Sequence, residues 1–274
     1  MEYIEFSTHW LYNNDTIIIK PHFNENINLV NFDDKIVSLL FTTHILINDI
    51  IESIKDIKYK SKNYQMSIFN QPLDNLPLTL QTLTFGYNFD QPVDNLPLTL
   101  QNLTFGDYFN QTVDNLPLTL QTLTFGISFN QLVDNLPYNL KNLTFGHNFN
   151  QKIDNLPHGI LNLIFGHHFN QKVDNLPHGI LNLTFRYHFN QTIDNLPNTL
   201  IAIFFVDNNY NFYFDKELNC LSNSIKQIKL PLNYKHEIKQ IPSSLKKIIC
   251  SSSYKYINEL KLKKISIEYV NIMV

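Results

Sequence analysis

The sequence has few of the residues that mark several common protein classes. Its 274 residues include only two cysteines, Cys220 and Cys250, too few for a disulfide framework or a cysteine-based metal site. This usage suits a reducing compartment. No stretch approaches the about 18 apolar residues of a membrane-spanning helix, and the opening residues lack the apolar core of a signal peptide. Charged residues make up 16% and hydrophobic residues 43%, which argues against disorder.

Catalytic motifs are also missing. The chain contains no glycine-rich dinucleotide or phosphate loop and no nucleophile elbow. Its formal charge of −3 predicts neither nucleic acid nor membrane as a partner. We therefore predict no enzyme activity, no catalytic residue and no cofactor, with a protein as the partner.

The chain instead contains a stretch of twenty residues that is repeated many times. Phenylalanine opens each copy, at Phe69, Phe89, Phe109, Phe129, Phe149, Phe169 and Phe189. A fixed period of this size is typical of a solenoid, in which each copy forms one turn of a stacked coil.

The pattern inside one copy predicts a short strand and a corner. Leu103 and Phe105 are spaced by two and face one side of a strand, while Asn102 and Thr104 face the other. Pro97 follows leucine and fixes an extended corner, which leaves no room for a normal helix. The Asp-Asn pair before each Leu-Pro and the Asn after each Phe are predicted to form ladders between turns. Glycine ends most strands, where φ is positive or space is short, and Arg186 breaks that series.

Two strings carry a family resemblance. Leu100–Phe105, LQNLTF, resembles the start of a leucine-rich repeat, and FNQ-x-[VI]-DNLP resembles the FNIP repeat, a short leucine-rich-repeat variant of social amoebae and giant DNA viruses. The resemblance implies a β-rich leucine-rich-repeat solenoid with 20-residue turns, one short parallel strand per turn and little or no α-helix. It also implies a viral or amoebal protein of the cytoplasm, the host cytoplasm if viral. Some relatives carry an F-box and serve ubiquitin ligases, but the first 68 residues do not look like one.

We predict one continuous solenoid in three parts. Residues 1–68 are degenerate N-terminal repeats or a cap, residues 69–205 are the regular FNIP-type repeats, and residues 206–274 are degenerate C-terminal repeats or a cap. The degenerate strands are predicted at Ile4-x-Phe6, Ile17-x-Ile19, Leu39-x-Phe41, Ile57-x-Tyr59, Ile228-x-Leu230, Ile248-x-Cys250 and Ile265-x-Ile267.

The candidate interaction face consists of outward strand positions and variable turn positions. Its residues are Thr84, Thr104, Thr124, Thr144, Thr184, Tyr87, Tyr108, His147, His167, His168 and His188. Threonine is also common in strands because of its β-propensity alone. Two strands carry a Thr-x-Thr pattern that would suit ice binding, but the other strands do not fit that pattern. Stacked histidines could chelate a metal, but no carboxylate or cysteine completes a set, so no metal site is predicted.

A basic patch near the C-terminus is the last candidate. Lys229, Lys247 and Lys264 are predicted in outward strand positions, where they form either a solvated face or a surface for an acidic partner. Our interpretation is a protein-interaction scaffold. The alternatives are a structural or decoy array without a specific ligand, and a substrate receptor linked to a ubiquitin ligase.

Overall fold

The computed structural model describes the chain in segments. These are residues 4–5, 10–13, 16–19, 24, 36, 38–41, 67–73, 76–206 and 212–270. They fall into two compact units, Met1–Gln131 and Leu132–Val274. Within each unit, successive turns contribute one short strand each to a parallel sheet, so the predicted solenoid fold is confirmed.

The first unit is built on seven described strands. They are β1 (Ile4–Glu5), β2 (Trp10–Asn13), β3 (Thr16–Ile19), β4 (Ser38–Phe41), β5 (Thr82–Thr84), β6 (Asn102–Thr104) and β7 (Thr122–Thr124). From β3 to β7 the neighbours pair in parallel, and Leu39, Leu83 and Leu103 stand opposite one another. This register places one leucine of each strand from β4 to β7 in the same buried column, with Ile17 in that position on β3.

The N-terminal strands differ from the predicted parallel turns. β1 pairs antiparallel with β2, and β2 pairs antiparallel with β3. Only two residues separate Asn13 from Thr16, which is enough for a hairpin but too short for the crossover that parallel strands need. β4 pairs directly with β5. A further strand was predicted at Ile57 and Tyr59. Those two residues lie outside the described part of the chain.

The described residues of the second unit form seven strands and one short helix. They are β8 (Asn142–Thr144), β9 (Asn162–Ile164), β10 (Asn182–Phe185), β11 (Ala202–Phe205), β12 (Gln227–Lys229), β13 (Lys247–Ser251), α1 (Ile257–Leu262) and β14 (Ser266–Val270). All neighbouring pairs are parallel. β14 begins at Ser266, so the predicted last strand is present, but Ile267 and not Ile265 stands opposite Ile248, and the predicted register is wrong by two residues. Ile267 follows Ile248 by 19 residues, close to the regular period of 20, whereas Ile265 follows it by only 17.

The core of each turn is a pair of stacked phenylalanines. The rings of Phe85 and Phe89 lie 3.8 Å apart, and those of Phe105 and Phe109 lie 3.7 Å apart, nearly parallel in both turns. Between turns, Phe85 and Phe105 are 5.5 Å apart. All four side chains are buried. Each ring therefore contacts one ring in its own turn and further rings in neighbouring turns, which makes the core a double column.

Side-chain ladders join the turns outside this core. The Oδ1 atom of Asn70 accepts hydrogen bonds from the backbone N–H of Asp90 and from Nε2 of Gln91. Asp90 then accepts from Asn110 at 2.9 Å, although it is the one carboxylate among the asparagines after the repeat phenylalanines from Phe69 to Phe189. Only the oxygen is needed, so aspartate can replace asparagine. The predicted asparagine ladder is present within each described unit.

The Leu-Pro corner closes as a tight turn. The backbone N–H of Leu100 donates to the carbonyl of Pro97 at 3.1 Å. Thr99, inside that turn, donates its hydroxyl to the carbonyls of Leu78 and Leu80 in the turn before. Ser224 and Ser244 make the equivalent bond in the degenerate turns. The corner is thus fixed to the preceding turn without a helix, as predicted.

Space, not backbone torsion, explains the glycine at the strand end. No described glycine has a positive φ. A Cβ built on Gly106 would lie 1.8 Å from the carbonyl oxygen of Gly86. Where Arg186 and Val206 occupy this position, β10 and β11 each run one residue further, to Phe185 and Phe205. The backbone there stays extended and leaves room for a side chain.

The phenylalanine column continues into the degenerate C-terminal turns as tyrosines. Tyr234 and Tyr254 follow Phe214 with ring spacings of 6.1 Å. Their buried hydroxyls donate to the carbonyls of Lys216 and His236, which satisfies the added polar group. Within the described residues, no helix is long and apolar enough to span a membrane.

Candidate interaction surface

The outward positions of the strands form what we call the strand face. In the first unit, Thr84, Thr104 and Thr124 stand opposite one another in register. In the second unit, Ile164 lies between Thr144 and Thr184. The structure therefore brings the predicted threonines onto one face within each unit, where they are half-buried.

A second column of the strand face is an amide ladder. Asn182 donates from Nδ2 to Oδ1 of Asn162 at 2.7 Å, and Asn162 donates in the same way to Asn142. In the first unit, Asn102 donates to the hydroxyl of Thr82 at 3.4 Å. The ladder ends at β11, where Ala202 and Phe204 replace the polar residues. Because each amide is held by its neighbour, the face is ordered before any partner arrives.

Beside the strand face runs the strand-end strip, which we define as the two residues immediately before each phenylalanine that restarts the repeat pattern. In the first unit it contains Tyr87, Asp107 and Tyr108. The two tyrosine rings pack edge to face, 4.9 Å apart, and Tyr108 is 53% exposed. A hydrogen bond with Tyr108 raises the pKa of Tyr87 above its ordinary value.

In the second unit, the strand-end strip is a chain of touching imidazole and tyrosine rings. The His147 ring lies 4.5 Å from both His167 and His168, and His168 lies 5.0 Å from His188. The predicted histidines are therefore brought together. Tyr187 and Tyr213 extend the strip, with Tyr213 stacked 5.1 Å from His188.

Tyr213 is the residue of the strip that our sequence analysis missed. It lies 25 residues after His188 instead of 20, because extra residues interrupt the repeat. The signal was present: Tyr213 immediately precedes Phe214, which stacks on Phe189 and restarts the pattern. Counting back from Phe214 places Tyr213 in the slot of His188.

Two imidazoles of the strip, His167 and His168, are held toward their neutral form. Burial, followed by the charge of His147, lowers the pKa of His167, and Arg186 acts in the same direction. Burial also lowers the pKa of His168, with further contributions from His147 and His188. No three histidines, cysteines or acids among the described residues are arranged to hold a metal ion.

A cavity of about 460 Å³ lies next to the strip. Its lining includes Tyr187, Tyr213, Asp215 and Lys235. Asp215 accepts from Nε2 of His236 at 2.6 Å and pairs with Lys235 at 3.1 Å, and these contacts lower the pKa of its carboxyl group. The carboxylate is thus already engaged by an imidazole and an ammonium group.

One apolar feature of the surface was not predicted. Leu78, Leu98 and Leu118 follow the proline of successive turns and are 81%, 78% and 57% exposed. Later turns carry tyrosine, histidine or asparagine in this position. The change from leucine in the early turns to tyrosine, histidine or asparagine in the later turns is visible in the sequence, and it would have indicated this apolar surface.

The predicted basic patch is only partly built. Lys229 and Lys247 lie on β12 and β13, and Lys247 pairs with Glu268. Lys264 was predicted on a strand, but it lies in the turn before β14 with φ of 58°. The two-residue shift of the last strand removes it from the strand face.

Comparison with known proteins supports the repeat assignment. Residues 69–108, 92–128 and 129–168 match the FNIP Repeat model, as the sequence pattern predicted. The crystal structure of CroV588, a giant-virus protein described as a novel circular LRR protein structure, is 30% identical with a TM-score of 0.69. It matches 90% of this chain, which spans 38% of its length. YopM from Yersinia enterocolitica WA-314 is 18% identical with a TM-score of 0.32, covering 81% of this chain and 56% of YopM. None of the curated proteins matches the chain.

Proposed function

We propose that this FNIP-repeat chain is a non-enzymatic scaffold that binds a protein partner on its strand face and strand-end strip. The observation that carries the proposal is the set of side-chain contacts that order this surface. Amide ladders fix Asn162 and Asn182, and ring contacts fix the histidines of the strip. A surface that is already ordered loses little conformational entropy when a partner docks.

Recognition would come from the residues that vary between turns. The buried positions repeat almost without change, since every ring and leucine must fit the column above and below it. The strip changes from turn to turn, with Tyr87, Asp107, His147 and Tyr187 in one slot. A constant core that presents a variable surface is typical of repeat proteins that bind other proteins.

Capture experiments with strand-face variants test the proposal. The full chain is immobilised and used to capture proteins from host lysate, and the same is done with Thr104→Lys, Thr124→Lys and the double variant. The substitutions put charged side chains on the strand face while leaving the buried residues unchanged. We expect the double variant to lose its specific partner.

Thr112→Lys is the matched control, because Thr112 is exposed and lies outside the strand face. It adds the same charge and should keep the partner. A partner that is retained equally by all variants would contradict docking on this face. The absence of any captured partner would favour the alternative of a structural or decoy array, and recovery of ubiquitin-ligase subunits would favour the substrate-receptor alternative.

We also place the protein in the cytoplasm, or in the host cytoplasm if it is viral. Both cysteines of the sequence, Cys220 and Cys250, are free thiols, which suits a reducing compartment. Residues 1–68 and 206–274 are proposed to act as caps of the regular block 69–205. Imaging of a tagged full-length chain tests the location, and exclusive recovery in a secretory fraction would contradict it.

A further inference from the structure

The four histidines of the strand-end strip in the second unit form one continuous surface. Successive rings from His147 to His188 lie within 4.5–5.0 Å of a neighbour. We propose that this imidazole strip docks an acidic segment of a protein partner, and that docking tightens as the pH falls. The inference rests on the proposed scaffold function and names the chemistry of its partner.

The fold itself does not require histidine at these positions. The same slots hold Tyr87, Asp107 and Tyr108 in the first unit, where the turns have the same strand, corner and core. His168 is exposed, and His147, His167 and His188 are half-buried, so none of them fills the core. The residue type is therefore free to serve recognition.

The charged groups that act on His167 and His168 all have one sign. His167 is influenced by His147, His168, His188 and Arg186, and each of them disfavours its protonated form. His168 is influenced by His147 and His188 in the same direction.

The remaining polar groups around the strip do not supply a counter-charge. Nδ1 of His147 contacts the neutral amide oxygen of Asn148 at 3.1 Å. On the next turns stand the phenols of Tyr187 and Tyr213, and Asp215 is engaged by His236 and Lys235. When protons bind, the strip becomes a cationic patch whose described surroundings lack a carboxylate partner of its own. An external carboxylate would relieve that repulsion, and binding would be coupled to proton uptake.

An acidic polypeptide fits the strip better than nucleic acid does. The strip offers four imidazoles with Arg186 beside them, fewer cationic groups than a protein that makes about six to ten phosphate contacts would need. Its rings already touch one another, so they leave no gap into which a base could insert. Short carboxylate side chains need only the ring N–H groups.

The test measures binding of a labelled oligoglutamate peptide to the full chain by fluorescence anisotropy. Measurements at about pH 7.5 and about pH 5.5 bracket the ordinary pKa of histidine while glutamate stays ionised. We expect binding to tighten by about tenfold or more at the lower pH. The quadruple variant His147→Gln, His167→Gln, His168→Gln and His188→Gln should lose this dependence, and His168→Gln alone should reduce it.

His158→Gln with His178→Gln is the matched control, because both histidines are exposed but lie outside the strip. It should bind as the unchanged chain does, and circular dichroism verifies that every variant is folded. Equal pH dependence in the quadruple variant, or no binding at either pH, would overturn the inference. So would tighter, histidine-dependent binding of oligothymidylate.

The two proposals can fail separately. Suppose that Thr104→Lys with Thr124→Lys abolishes partner capture, but that the histidine substitutions do not change peptide binding. The scaffold function is then supported, and the proposal of an acidic partner is wrong. If the peptide binds through the histidines while capture ignores the threonines, docking on the strand face is wrong.

Discussion

The rings of Phe105 and Phe109 lie 3.7 Å apart with an angle of 9° between their planes. One ring comes from the end of a strand and the other from the start of the next twenty-residue copy. Phe105 also lies 5.5 Å from Phe85 and 5.6 Å from Phe125. A single side chain therefore joins three turns, and the core has no layer that belongs to one copy alone.

Removing such a ring should strongly destabilise the folded chain. We expect Phe105→Ala to lower the free energy of unfolding by about 3–5 kcal/mol, because the cavity loses contacts on every side. Phe105→Leu should cost clearly less, since it keeps much of the volume. Urea denaturation followed by circular dichroism measures both. A loss below about 1 kcal/mol for Phe105→Ala would show that the column is not the main source of stability.

The sequence predicted this core well because its period is simple. Leucine and phenylalanine recur at positions that only a stacked coil can bury together, and at the end of the regular block Ile203 and Phe205 fall into register with Leu183 and Phe185. The predictions failed where the chain turns differently. The hairpin of β1 to β3 and the offset of β14 depend on the length and conformation of their connections, which the repeat does not encode.

The candidate site was predictable in position but not in detail. Outward strand residues follow from alternation, so Thr104 and Thr124 could be placed on one face. The contacts among His147, His167 and His168 depend on the path of each tight turn, and that path is set by packing against the previous turn. Tyr213 was missed because extra residues shift its number without shifting its place.

Glycine at the strand end offers a second test of the close stacking. We expect Gly106→Ala to destabilise the chain by more than about 3 kcal/mol, because the added Cβ would overlap the carbonyl of Gly86. Differential scanning calorimetry measures the loss. Gly179→Ala is the control: its Cβ would lie 2.8 Å from the carbonyl of His158, but Thr99 and Thr199 occupy the same slot in other turns.

The control should cost about 1 kcal/mol or less. Gly179→Thr should recover stability, because Thr199 shows that a hydroxyl in this slot reaches two carbonyls of the preceding turn. Equal losses for Gly106→Ala and Gly179→Ala would mean that the approach of the turns is not what selects glycine.

The asparagine ladder predicts a difference between two conservative changes. Oδ1 of Asn170 accepts from the backbone N–H of Asn190 at 2.8 Å and from Nε2 of Gln191 at 3.1 Å. Asn170→Ala leaves both donors without this acceptor and should cost about 1–3 kcal/mol. Asn170→Asp keeps the oxygen, as Asp90 does naturally, and should change stability by less than about 1 kcal/mol. Urea midpoints that rank the two variants in the opposite order would exclude the ladder as a stabilising element.

The histidine strip predicts that stability depends on pH even without a partner. Burial and neighbouring cationic groups lower the pKa of His167 and His168 below the ordinary value of 6.5. The unfolded chain then binds these protons at a higher pH than the folded chain does. The stability is therefore fully present above about pH 6.5 and is lost as the pH falls through the lowered pKa values.

We expect the urea midpoint to drop between about pH 7.5 and about pH 5, and to drop less in the variant His167→Gln with His168→Gln. The exposed pair His158→Gln with His178→Gln is the control, and it should keep the slope of the unchanged chain.

The carboxyl of Asp215 affects stability in a separate pH window, because its lowered pKa lies below 3.8. Saturating oligoglutamate should flatten the slope above that window, since a bound carboxylate favours the protonated imidazoles. The urea midpoint could instead be constant over this range, or fall equally steeply with pH in the variant His167→Gln with His168→Gln. Either result would show that repulsion at these two histidines does not affect the folding equilibrium.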